Sequence, residues 1–539
     1  MQFHGGGKGG WLEVANLKLL ASFCAGLALA LVLFVFLDLA SGPCGQQIGL
    51  SLYSGESLYL PNLTESLKTR LEERNATGIT CPACPAVEKT GEVCVKEWEQ
   101  PLVVKERESE KYSDENTPEV QRKFTPVGVS AFLFVLFSAY RLGPNHFSVV
   151  GLSPKPLQDY GNPGYECFWI SASGDLIAVE GTVTGPYLPQ VGYAKQYVAT
   201  VIHCHFDHDV GTNGTGGSVK IVLKMGSKDM TGLAGTEFVA LREKPGEYDG
   251  SLFTEPLKYD FMYCGGPLYG QVSPQRVREW IAWHARMFGP RSQFILWDAG
   301  GLNEDVRKIL SPWVKLGMVT IMNYRQEARY DAYYHSQSVM LNDCLMQAKR
   351  EAEWAFFFDI DEYLYVVPNR TLIEVLTEIK QEMGRRAQEV SILQRLMNPN
   401  HCVKRPENDT DERLWGLEKL VYKTTEKNGW GGFGDHKYIA QTKYTLVAGN
   451  HDHQVALMPE GATKKWQVQF YDWKDRIHYH HFHNTIGQRE ELCKEFVDPS
   501  LKETKFNNVT HVYDDSLSKQ VDAVKQFELE TVGNQPFIT

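Results

Sequence analysis

Apolar residues fall into four regimes along the chain. From Leu19 to Leu37 they form an unbroken run of Leu, Ala, Phe and Val without a charge, long enough to cross a bilayer as a helix. A cleaved signal would have a shorter apolar core, and Ser41-Gly42 is a weak cleavage site, so the run reads as a retained anchor. Lys8 and Lys18 precede it and Asp38 follows, which puts residues 1–18 in the cytoplasm and the bulk of the chain in a lumen. Residues 41–123 are turn-rich and then strongly charged, as a stem would be. Residues 124–256 carry short apolar runs (131–139, 197–202, 219–223) broken by Gly, Pro, Asn and Asp, the pattern of an all-β sandwich.

From residue 257 onward strand and helix patterns alternate. Lys258 to Cys264 reads as a strand and Gly265-Gly266-Pro267 as the turn after it. Ser273 is an N-cap with Pro274 at the first helical position; Val277, Trp280, Ile281 and His284 share a face, and Gly289-Pro290 ends the helix. Strands follow at 293–297 and 319–322, with a helix capped by Asn303 between them, and a helix from Ser336 to Arg350 leads into the strand Trp354 to Phe358. Such alternation predicts a Rossmann-like, mostly parallel sheet over 257–539, with ligands at the C-terminal ends of its strands. The apolar run 354–358 stops at Asp359-Ile360-Asp361-Glu362, where an Asp-x-Asp pair offers hard oxygen ligands to Mn²⁺ or Mg²⁺ and, through the cation, to a diphosphate. No Gly-rich phosphate loop is present, so the metal is the route to phosphate. This combination resembles that of GT-A type nucleotide-sugar transferases.

A net charge of −11 gives no general attraction to nucleic acid. Ten of the eleven cysteines lie beyond the anchor, and Asn62, Asn75, Asn213, Asn369, Asn408 and Asn508 begin Asn-x-Ser/Thr sequons, both suited to an oxidising lumen. Cys81-Pro82-Ala83-Cys84 would suit half a zinc site but has no matching second pair. A competing motif is His203-x-His205-x-Asp207-His208, the spacing of a metallo-β-lactamase type zinc hydrolase, although its surroundings read as all-β. A third reading is a non-catalytic glycan-binding membrane protein.

The residues 357–363, with Gln337, Asn342-Asp343-Cys344 upstream and His481-Phe482-His483-Asn484-Thr485-Ile486 downstream, resemble glycosyltransferase family 92, in its plant galactan-synthase branch. The resemblance implies a Golgi type II membrane protein that inverts the donor linkage, moving galactose from UDP-galactose onto the β-1,4-galactan side chains of rhamnogalacturonan I. It also implies a carbohydrate-binding module before the catalytic domain, where Tyr140, Trp169, Tyr187 and Tyr193 offer aromatic faces. By the same resemblance Asp361 is the main metal ligand, Asp359 touches metal or ribose, and His481, then His483, completes the shell. On an extended segment His481 and His483 share one face and His478 and His480 the other. Cys264, Gly265, Gly266, Gln337, Asn342 and Asp343 are candidates for uridine, and Arg325 for a diphosphate oxygen. The base that takes the acceptor proton is sought among Asp435, Asp452 and Glu362, and Trp430 to Phe433 could form a sugar platform. A homo-oligomer is compatible with the sequence.

Overall fold

The computed structural model describes residues 119–121, 123–128, 132–155, 163–184, 197–224, 236–325, 330, 333–384, 389–404, 414–425, 436–451, 453–456, 475–487 and 493–538. The expected anchor, the stem to residue 118, Tyr187, Tyr193, the 430–433 loop, Asp435 and Asp452 lie outside them. Among the described residues no helix is long and apolar enough to cross a membrane.

The first surprise is at the expected stem boundary. Glu119–Gln121 forms strand β1, and it pairs in parallel with a strand of the C-terminal domain's sheet more than 190 residues later, Val319–Asn323. Its Glu119 is held there by the Arg307 guanidinium and the Asn323 amide. Charge patterning had hidden the strand because its partners are tertiary.

Seven strands and one short one then make the β-rich region: β2 (Thr125–Val127), β3 (Phe134–Arg141), β4 (His146–Pro154), β5 (Gly164–Ser171), β6 (Leu176–Thr184), β7 (Tyr197–His205), β8 (Gly217–Lys224) and β9 (Glu237–Glu243). The expected two-sheet sandwich is instead one continuous antiparallel sheet, in the order β2-β3-β4-β7-β6-β5-β8-β9. The long β6 makes it continuous, pairing with β5 through its first part and with β7 through Thr182 to Thr184. The sheet folds over on itself, so that Phe134 of β3 stacks on Phe238 of β9 and the two halves close on Tyr165, Trp169 and the Cys167–Cys204 disulfide. Its outer face is equally apolar: Val135, Phe137, Val150, Leu152 and Val201 share one core with Val339, Met340, Leu341 and Leu345 of the following domain. Tyr140 and Trp169, expected as glycan platforms, are spent on these cores, both being buried. The Tyr140 hydroxyl donates to Asp343 of the following domain.

The hydrolase motif is dispersed by the same sheet. His203 is buried, with its ring against the Ser148 hydroxyl and His146, and burial pulls its pKa down to about 3. His205, Asp207 and His208 are exposed, and among the described residues no three His, Cys, Asp or Glu side chains converge as a metal group.

The C-terminal domain follows with β10 (Tyr259–Leu268), α1 (Pro274–Phe288), β11 (Ser292–Asp298), α2 (Glu304–Lys315), β12 (Val319–Asn323), α3 (Tyr333–Glu351), β13 (Ala352–Phe356), β14 (Glu362–Val366), α4 (Leu372–Met383), β15 (Glu389–Leu396), β16 (His436–Gln441) and β17 (Ile477–His481). Helix α1 starts where Ser273 accepts the Arg276 N–H and stops at Gly289, whose φ of 77° suits glycine. Helix α2 starts at Asn303, which accepts the Val306 N–H, but runs on to Lys315 past Pro312. The sheet order is β1-β12-β11-β10-β13-β16-β15-β17-β14, parallel from β1 through β13 and mixed beyond, so only the first half is Rossmann-like. Gly265-Gly266-Pro267 is not a turn: β10 runs through it with a register shift against β11 between Cys264 and Pro267. Three exposed turns carry Asn213, Asn369 and Asn508, as their sequons require.

Candidate active site

A cavity of about 610 Å³ opens at the C-terminal ends of β10 and β13. Its walls include Gly266 to Val272, Gln337 at the start of α3, Asp359 to Glu362, Lys437 and Asn450, and the Tyr479–Gly487 stretch around His481 and His483. Apart from the half-buried Glu353, strand β13 is apolar and buried, and the chain leaves the sheet after it because the next acids cannot follow it into the core. The Tyr263 hydroxyl donates to the Phe358 carbonyl at 2.7 Å and the Trp280 indole to the Glu362 carbonyl at 3.0 Å, fixing both ends of the acidic turn. Within it the Asp359 N–H donates to Glu362 Oε2 at 2.8 Å and the Glu362 N–H to the Asp359 carbonyl at 3.1 Å. Asp361 is thereby left at the cavity wall.

His481 reaches the same wall from β17, where antiparallel register sets it opposite Glu362. Its Nδ1 is 2.6 Å from Gln394 Oε1; with that oxygen accepting the Nδ1 proton, Nε2 is the ring atom that faces Asp361 Oδ1, at 3.5 Å. Burial lowers the His481 pKa, but Asp361 and Glu362 more than offset it and the net shift is upward. His483, exposed, lines the cavity with its ring 5.2 Å from that of His481. On the other side of β17, His478 stacks on Tyr365 and His480 faces Asp514, so the alternation read from the sequence holds.

Lys437 of β16 closes the cluster. Its Nζ is 3.0 Å from Asp359 Oδ2, 3.2 Å from Asn450 Oδ1 and 3.7 Å from Glu362 Oε2. Burial would lift the Asp359 carboxyl, yet the ammonium outweighs it and holds the pKa below the ordinary value. Burial does prevail at Glu362, pushed up to about 7. Oxygen and imidazole donors 3.5 Å apart suit two positions of one hard divalent cation, and the remaining positions would fall to water and donor phosphate. Asp361 and His481 are thus the pair that could hold a hard divalent cation, whereas Asp359 is engaged by Lys437.

Residues 259–521 match the model of glycosyltransferase family 92. The chain is 38% identical over 427 residues to galactan beta-1,4-galactosyltransferase GALS1 of Arabidopsis thaliana, covering 79% of this chain and 81% of that protein. It is 36% identical to the Arabidopsis proteins of the same activity name GALS3 and GALS2, covering 79% and 77% of them. The chain belongs to glycosyltransferase family 92.

For this family member the structure also redistributes several expected residues. Cys264 is disulfide-bonded to Cys344 and fully buried, so it cannot meet a nucleotide. Asn342 is buried with its amide closed on the N–H and carbonyl of Ala448, and Asp343 on the Tyr140 hydroxyl; both pin α3 to its neighbours, away from the cavity. Arg325 is bound to the buried Asp298 at 2.6 Å and to the Leu302 carbonyl, and does not line the cavity. Gln337 and Gly266 do line it and touch: a Cβ on Gly266 would lie 2.8 Å from the Gln337 amide nitrogen, so glycine is what lets the side chain cross. Gly265 lies beneath, where a Cβ would strike the Tyr263 ring at 2.6 Å. Glu362 is 1% exposed and occupied by the Asp359 N–H, Lys437 and His481, an arrangement that braces the acidic turn rather than meeting an acceptor hydroxyl.

Lys437, Gln394 and Asn450 were missed. A lysine entering the apolar stretch Tyr438-Ile439-Ala440 was the available signal, because a buried ammonium demands acidic partners.

Proposed function

We propose that the chain is an inverting β-1,4-galactosyltransferase that elongates β-1,4-galactan, the pectic side chain of rhamnogalacturonan I, with UDP-galactose as donor. The carrying observation is the galactan galactosyltransferase activity named for relatives aligned over about four fifths of the chain, joined to a strand-end cavity where Asp361 and His481 stand 3.5 Å apart. Asp361 and His481 would hold Mn²⁺ or Mg²⁺, whose positive charge would supply electrostatic stabilisation for the departing diphosphate. Gln394 fixes the His481 tautomer, and the Asp359–Glu362 turn fixes Asp361, so both donors are oriented before ligand arrives. Gly266 and Gln337 border the same cavity at the end of β10 and would meet the uridine. An acceptor hydroxyl attacks the anomeric carbon from the face opposite the diphosphate, and a carboxylate takes its proton. Asp435 and Asp452 are the candidates for that carboxylate. The N-terminal apolar run would hold the enzyme in the Golgi membrane with this domain in the lumen.

The test is a donor screen with galactan oligomers. Transfer from UDP-galactose, giving β-1,4-linked products and requiring a divalent cation, supports the reading; transfer from another nucleotide sugar alone, or none, rejects it.

A further inference from the structure

We propose that Lys437 contacts the donor diphosphate and neutralises the departing nucleoside diphosphate. The proposal rests on the nucleotide-sugar reading above and adds a residue to it. Register places Lys437 where the sheet meets the cavity: Ala355 pairs with Ala440 and Phe356 with Ile439, so β16 carries Lys437 past the last paired residue of β13, to the level of the acidic turn. The side chain is 1% exposed, yet it lines the cavity. Its acceptors Asp359, Asn450 and Glu362 hold the ammonium at 3.0, 3.2 and 3.7 Å, and the Asp359 side chain among them is 42% exposed, so the Lys437–Asp359 edge faces the open side.

The charge balance of the protein side chains in the cavity points to such a residue. Asp359, Asp361 and Glu362 line it, and among its described lining residues Lys437 is the sole lysine or arginine. An anionic donor entering there meets carboxylates first, and Arg325, the cation expected for this task, is committed to Asp298. An ammonium has three N–H donors and rotates freely about its stem, so Nζ can exchange Asp359 for a phosphate oxygen without moving the strand.

In the transfer the bond between the anomeric carbon and the β-phosphate oxygen breaks, and its electron pair stays on that oxygen. The acceptor hydroxyl oxygen forms the new bond to carbon, and its proton passes to a carboxylate of the protein. The diphosphate therefore gains one negative charge as it leaves. An N–H donor that has turned onto that oxygen binds it more strongly in the transition state than in the ground state, which is the condition for raising the rate.

The experiment titrates the purified protein with uridine and with UDP, first in EDTA and then with Mn²⁺. A charge-assisted hydrogen bond predicts that in EDTA the wild type binds UDP about ten- to a hundredfold more tightly than uridine, an advantage that shrinks with added salt. Lys437→Gln should bring UDP to within about threefold of uridine while leaving uridine affinity intact, and Lys437→Arg should restore part of the difference. Wild-type protein that binds UDP no better than uridine in EDTA, but better with Mn²⁺, overturns the Lys437 assignment and leaves the donor reading standing; this arm needs no variant to fold. Equal weakening of both ligands by Lys437→Gln also overturns it, since a purely structural lysine would act that way. Failure of the wild type to bind either ligand, even with Mn²⁺, removes the donor reading and this proposal together.

Discussion

Replacing His481 by alanine separates a metal ligand from a merely neighbouring histidine. Donor atoms 3.5 Å apart on a cation with bonds of about 2.1 Å subtend roughly 113°. A right-angled pair at that bond length would be about 3.0 Å apart, so a closure of about 0.5 Å suffices. Partners one shell further out already cost about 10–100-fold in metal affinity when lost. The ligand itself should therefore cost at least about 100-fold, or roughly 2.7 kcal/mol. His478 is the control, three positions away on the opposite face, 1% exposed and stacked on Tyr365 at 4.5 Å. His478→Ala should lower thermal stability by the aromatic pair of about 0.5–1.5 kcal/mol plus the cavity it leaves, without altering the metal requirement. The assay is galactosyl transfer against Mn²⁺ concentration, with a melting curve for each variant. An unchanged Mn²⁺ half-saturation in His481→Ala, or equal shifts in both variants, would refute the ligand assignment.

Two further outcomes follow from buried polar groups. Asn342→Ala leaves the Ala448 N–H and carbonyl without their partner, so it should destabilise the fold by about 2–4 kcal/mol and leave the KM for donor unchanged; a specific loss of donor affinity would return Asn342 to the nucleotide. His284 accepts the Leu364 N–H on Nε2 and bonds the Trp280 carbonyl through Nδ1, and burial lowers its pKa from 6.5 to about 3. Between those values the unfolded chain binds a proton that the folded chain refuses, so stability present above about pH 6.5 is lost as the pH falls towards 3, by about 2 kcal/mol at pH 5. Melting curves of the wild type and His284→Gln should converge from pH 7 to pH 5, and parallel curves would contradict the linkage.

What the sequence revealed was local. Ser273, Pro274 and Gly289 mark α1 because caps act within a turn of their own residue, and strand alternation alone put His481 on a different face from His478. The Asp-x-Asp at the end of an apolar strand was legible for the same reason. What it hid was tertiary: Asn342 meets Ala448 across 106 positions, Tyr140 meets Asp343 across 203, and Lys437 meets Asp359 across 78. A polar residue next to a recognised motif reads as part of the site until its distant partner is seen, which is how Asn342, Asp343 and Cys264 were placed at the uridine. The β-rich region misled in the other direction. Its alternating pattern gave the strands but could not tell that both faces of the sheet are covered, one by its own folded half and one by α3.

Asp361, in the acidic turn between β13 and β14, is the residue on which galactan elongation should depend most. The direct measurement incubates the protein with UDP-galactose, Mn²⁺ and a β-1,4-galactan oligomer of defined length, beside Asp361→Asn of verified fold, and resolves the products by length and linkage. The account predicts stepwise β-1,4 extension by the wild type and a loss of about a thousandfold or more in the variant, since several kcal/mol of charge stabilisation go with the ligand. Extension by Asp361→Asn at the wild-type rate, or no extension by the wild type, would contradict it.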